Sequence, residues 1–139
     1  MMKRTLTLTL AIAAFGLAAC QTAPKATVVR PTGGSGKSAA LRNMEPVATA
    51  AYKCWFASKD KAFRPYRFAN ELNSMSGQPR FLLVPVKNFG GLPQLVVQAS
   101  GAAGQVTVFG PLTNGKLGPR IQADIARWQS GDASCGASA

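Results

Sequence analysis

The chain has 139 residues, with 16 Lys and Arg, 5 Asp and Glu, no His, and a formal net charge of +11. The absence of His removes the commonest general base and metal ligand, and with them Ser-His-Asp hydrolases, Cys-His hydrolases and Cys/His transpeptidases. That length and a hydrophobic share of 47% fit one domain with a modest core.

The chain opens on Met1-Met2-Lys3-Arg4, and the apolar run Thr5 to Ala19 follows. A charged start, a hydrophobic stretch and small residues at its end are the layout of an export signal. The run falls short of the roughly 20 residues that span a bilayer core. Its last residues, Leu17-Ala18-Ala19-Cys20, resemble the lipobox of bacterial lipoproteins, in which Leu and two small residues precede a Cys. The resemblance covers residues 1–20 only and leaves the rest of the chain unassigned. It implies diacylglycerol on the Cys20 thiol, cleavage before Cys20, and acylation (palmitate) of the new amino terminus. Several acyl chains hold a protein stably, each buried CH₂ contributing about 0.8 kcal/mol, whereas one chain is marginal. In enterobacterial members of the class an Asp after the Cys favours inner-membrane retention. Gln21 at that place implies the outer membrane, with the domain facing the periplasm.

Residues 20–42 follow as a lipidated tether, polar and bearing Pro and Gly, without sustained periodicity. A flexible segment of this length spans roughly 25 Å. Within it, Gly33-Gly34-Ser35-Gly36-Lys37-Ser38 imitates a phosphate-binding loop, but the position that needs the first Gly holds Pro31. A linker is the better account.

The domain proper is expected over residues 43–135, with 136–139 as a tail. Asn43 is a candidate N-cap, with Glu45 and Pro46 in the first turn. Val47, Ala50, Ala51, Cys54 and Trp55 then recur at helical spacing. Ser58-Lys59-Asp60-Lys61 is a polar turn. Four strands follow, over Phe63–Leu72, Arg80–Lys87, Leu92–Ser100 and Gln105–Gly110, separated by Gly- and Asn-containing turns. A second helix starts near Pro119, carries Leu117, Ile121, Ile125 and Trp128 on one face, and stops at Gly131. The expected class is α+β: helix, four-strand antiparallel meander, helix, with both helices on one face of the sheet. Trp55 and Trp128 belong to that core.

With Cys20 assigned to lipid, Cys54 and Cys135 remain, and an oxidising compartment favours a disulfide between them. It would close a loop of roughly 80 residues, which the chain-entropy relation values at about 4.5 kcal/mol. A pair of free thiols is the alternative.

The chemistry on offer is sparse. No cofactor or metal site is expected, because zinc needs Cys, His or carboxylate ligands and the chain offers one Cys pair and five scattered carboxylates. Ser58 and Lys61 match the S-x-x-K spacing of penicillin-recognising enzymes, but the companion elements are missing. Sugar hydrolysis needs two flanking carboxylates. Of Glu45, Asp60, Glu71, Asp124 and Asp132, Glu45 reads as helix-start charge, Asp132 as turn, and Glu71 as an ion pair with Arg80. The candidate binding surface is Lys59, Lys61, Arg64, Tyr66, Arg67 and Phe68, where cations interleave with aromatic rings. Arg pairs with phosphate or carboxylate and the rings stack on sugars. An ordinary strand with one buried and one solvated face is the plainer alternative. Export turns the basic excess away from nucleic acid. The expected function is therefore non-enzymatic: membrane attachment through the N-terminal lipid, and binding of peptidoglycan, lipid A or anionic phospholipid. The alternatives are an accessory subunit of an envelope protein complex and, remotely, a small envelope enzyme. Oligomeric state is left open.

Overall fold

A computed structural model describes residues 36–136. The lipobox Leu17–Cys20 and most of the expected tether lie outside the described residues.

Helix α1 spans Ala39–Ala51. It begins one turn before Asn43, because Ser38 is the N-cap and its hydroxyl accepts the amide of Leu41 at 3.2 Å. Asn43 does different work. Its amide donates to the carbonyls of Ala103 and Gly104, at 3.2 and 2.9 Å, and so ties the helix to a hairpin loop. The loop comes so close that a Cβ on Gly104 would lie 2.6 Å from the Ala39 carbonyl. With the earlier start, Pro46 lies inside the helix and not in its first turn, so one backbone hydrogen bond is missing there. The inward stripe is Ala40, Met44, Val47, Ala48 and Ala51.

A π-helical turn, Tyr52–Ala57, continues the helix. The wider turn lets two consecutive residues, Cys54 and Trp55, both face the core. Lys59 closes it in the left-handed region, at φ 61.

The sheet is an antiparallel meander in the order β1-β2-β3-β4, with β1 Tyr66–Glu71, β2 Arg80–Pro85, β3 Leu95–Ser100 and β4 Gln105–Phe109. Its register places Tyr66 opposite Pro85, Leu82 opposite Val96, and Val97 opposite Val108. Alternation sends Phe81, Leu83, Leu95, Val97 and Ala99 into the core. Helix α2, Gly118–Gln129, adds Ile121, Ile125 and Trp128 on the same side. Both helices thus cover one face of the sheet. The opposite face carries Arg67, Leu82, Val84, Val96 and Phe109, and among the described residues no element is layered over it.

Aromatic packing centres on Trp55, stacked on Phe63 with ring centroids 4.5 Å apart and next to Trp128 at 5.1 Å. Past α2 the chain turns back. Trp128 and Arg127 both donate to the Ser134 carbonyl, at 3.0 and 3.1 Å, and Cys135 joins Cys54 in a disulfide with Cα atoms 5.2 Å apart. The bridge ties the post-helix tail to the end of the first helical segment.

Candidate functional site

The stretch Lys59 to Phe68 does not form one face. Lys59 and Lys61 are exposed on the turn that leads into β1. Phe68 points to the core side, stacked on Phe81 with centroids 4.7 Å apart, while Arg67 stands on the open face. Arg64 and Tyr66 do come together. They line a surface groove of about 600 Å³ with Pro65, Pro85, Val86, Lys87 and Gln94. The β1–β2 register creates it, because pairing Tyr66 with Pro85 brings Lys87 beside Arg64.

Beside the groove, the β2–β3 loop holds out large apolar side chains. Val86, Phe89 and Leu92 are 40%, 59% and 84% exposed. The Arg67 guanidinium lies over the Phe89 ring, 4.6 Å from its centroid. Reading the sequence for strands passed these residues over. Their signal was bulky apolar side chains in a Gly-rich turn, where burial is not available.

The carboxylates behave differently from the cations. Glu45 accepts from Lys37 at 2.7 Å and Glu71 from Arg80 at 2.6 Å. Asp60 is bonded to the Arg120 guanidinium. Asp124 is only 2% exposed, bonded to Arg127 and accepting the Trp55 indole N–H at 2.8 Å, with Arg120 Nε 3.7 Å away. Asp132 accepts the backbone amide of Ser134. Among the described residues, Arg42, Lys53, Lys59, Lys61, Arg64, Arg67, Lys87 and Lys116 are exposed and have no carboxylate within ion-pair distance. The positive excess is therefore concentrated on the surface, while four of the five carboxylates are ion-paired and the fifth, Asp132, is exposed and bonded only to a backbone amide.

The contact with Arg120 also bears on Asp60 itself. The Arg120 hydrogen bond, helped by the Ala62 amide, holds the Asp60 carboxyl below its usual range despite the opposing effect of burial. A general acid needs the reverse shift. Asp60 instead contributes to stability. Its depressed pKa means that the contribution is present above the unfolded value, about 3.9, and is lost as pH falls through the folded value. Asp60→Asn should lower stability at neutral pH and flatten the acid limb of the stability curve below about pH 4. Urea unfolding at stepped pH checks this, and an acid limb unchanged in Asp60→Asn would exclude it. Arg120 completes the arrangement over the Phe63 ring at 5.4 Å. Ser58, the other half of the S-x-x-K spacing, donates its hydroxyl to the Cys54 carbonyl at 2.6 Å, as a helix-end contact.

The groove thus brings the cations Arg64 and Lys87 together with the Tyr66 ring, beside the exposed apolar side chains of the β2–β3 loop. No protein-family model, curated protein or solved structure matches the chain.

Proposed function

We propose that this chain is a lipid-anchored cell-envelope lipoprotein, non-enzymatic, whose small basic domain binds an anionic envelope component: peptidoglycan, lipid A or phospholipid. Anchoring rests on the lipobox at Leu17–Cys20, and Gln21 favours the outer membrane with the domain in the periplasm. The observation that carries the binding half is the segregation of charge. Every carboxylate described is engaged within the fold, while Arg64, Arg67 and Lys87 stand exposed and unpaired around one groove and its neighbouring loop. Such a surface attracts polyanions, and the attraction is screened by salt.

Two measurements test the reading. Cys20→Ala should move the protein out of the membrane fraction and abolish acyl labelling; a variant that still fractionates with membranes and keeps its acyl label overturns the anchoring. The purified lipidated chain should be retained on peptidoglycan sacculi, on lipid A or on anionic phospholipid at low ionic strength and released by about 0.5 M salt, where the screening length falls to a few Å. Absence of salt-sensitive retention on all three overturns the binding half.

A further inference from the structure

Within the proposed class of anionic ligands, and resting on that proposal, the geometry points to an anionic phospholipid surface, docked on the β2–β3 loop. We infer that Phe89 and Leu92 enter the interfacial layer of the bilayer while Arg64, Arg67 and Lys87 pair with lipid phosphates.

Two observations converge on this occupant. Phe89 and Leu92, 59% and 84% exposed, sit at the tip of a loop and project from it. A glycan chain has hydroxyls and amides to satisfy, and an aliphatic side chain such as Leu92 offers it no hydrogen bond. A bilayer interface takes apolar side chains at its acyl boundary and cations at the headgroups just above. The second observation is the placement of charge. Arg64 and Lys87 line the groove at the foot of the loop, and Arg67 reaches over the Phe89 ring at 4.6 Å. No carboxylate is paired with any of the three. Arg64 and Lys87 are therefore at the foot of the loop and Arg67 against its apolar tip, so cations flank the side chains that would enter the interface. The other end of the same hairpin is a control. Met75, in the β1–β2 turn, is fully exposed too, but its turn is not part of this groove.

The test uses the full lipidated chain in vesicles, with Trp introduced at either end of the sheet. Leu92→Trp and Met75→Trp both replace exposed side chains, and native Trp55 and Trp128 are buried and give a constant background. In vesicles of phosphatidylglycerol and phosphatidylcholine with brominated acyl chains, Leu92→Trp emission should shift to the blue and be quenched. Met75→Trp should not respond, and phosphatidylcholine alone should give much less quenching for both. Adding Arg64→Gln and Lys87→Gln should reduce the ratio of inserted to free domain by roughly 25-fold, about fivefold for each cation.

Absence of quenching at position 92 in anionic vesicles overturns the inference. If salt-sensitive retention on sacculi or lipid A persists in that case, the broader reading stands and only the lipid assignment falls; if retention is absent everywhere, both fall. Equal quenching at 75 and 92, or an inserted fraction unchanged by Arg64→Gln/Lys87→Gln, also overturns it. So does a single crosslinked protein adduct at position 92 in cells without lipid quenching, which would make the loop a protein contact.

Discussion

Cys54→Ala/Cys135→Ser is expected to lower the melting temperature of the domain by roughly 20 °C, since losing about 4.5 kcal/mol acts on a domain in which each kcal/mol shifts the midpoint by about 4 °C. The bond spans a sequence separation of 81 residues, so breaking it returns a large loop entropy to the unfolded chain. The effect is not confined to the unfolded state. The tail carries the Ser134 carbonyl, which accepts from both Trp128 and Arg127. A Cβ at Gly136 would lie 2.8 Å from Asp124 Oδ1, so this stretch also covers the buried carboxylate. Without the bridge these contacts hold the tail alone, and water reaches Asp124 more readily. Ala is chosen at position 54 because that side chain is buried and a hydroxyl there would lack a partner. Near-ultraviolet circular dichroism on heating reads the transition. A fall of less than about 5 °C would mean that the tail is held by its hydrogen bonds and that the loop is already constrained when unfolded.

The second large effect is expected at Asp124. Asp124→Ala should destabilise the domain by about 3–5 kcal/mol, the usual cost of removing one member of a buried ion network. The loss leaves the Trp55 indole N–H without its acceptor and Arg127 without its carboxylate. Arg120 is already strained for partners, as its Nε and Nη1 are buried with no hydrogen bond in the described structure, and only Asp60 would remain beside it. Asp124→Asn should fall between the two, because the amide oxygen can still accept from Trp55 while the charge is gone. Urea unfolding midpoints for the three proteins decide it. A destabilisation below about 1 kcal/mol for Asp124→Ala would show that the arginines swing out to water and that the network contributes little.

The elements that were legible in the sequence are those written in local periodicity. The strands expected over Arg80–Lys87 and Gln105–Gly110 form over Arg80–Pro85 and Gln105–Phe109, and the face Ile121-Ile125-Trp128 and the pairing of Cys54 with Cys135 appear as expected. The boundary of α1 was misread because Asn43 is a good local cap in type, and the fold uses its amide across the molecule on the Ala103–Gly104 loop. Ser38 takes the cap instead, and Pro46 is tolerated deeper in the helix. Asp124 was readable in principle. It falls three residues after Ile121 and four before Trp128, on the buried side of α2, with Arg120 and Arg127 at i−4 and i+3. Treating it as one of several scattered carboxylates hid that position. The groove was not readable, because Arg64 and Lys87 are far apart in the chain and meet only through the β1–β2 register. For the same reason the basic-aromatic stretch looked like one surface, although strand alternation sends Arg67 and Phe68 to opposite sides.

The segregation of charge has a consequence for how the domain responds to its surroundings. The chain has no His, and the two cysteines among the described residues are bonded to each other, so the described residues lack the side-chain types that ordinarily change charge between about pH 5 and 8. Its exposed unpaired cations are all Lys and Arg. If the domain binds an anion as proposed, any acid-dependence of that binding near neutral pH is expected to come from the titration of the ligand. The proposed binding is therefore expected to respond to ionic strength more than to acidity.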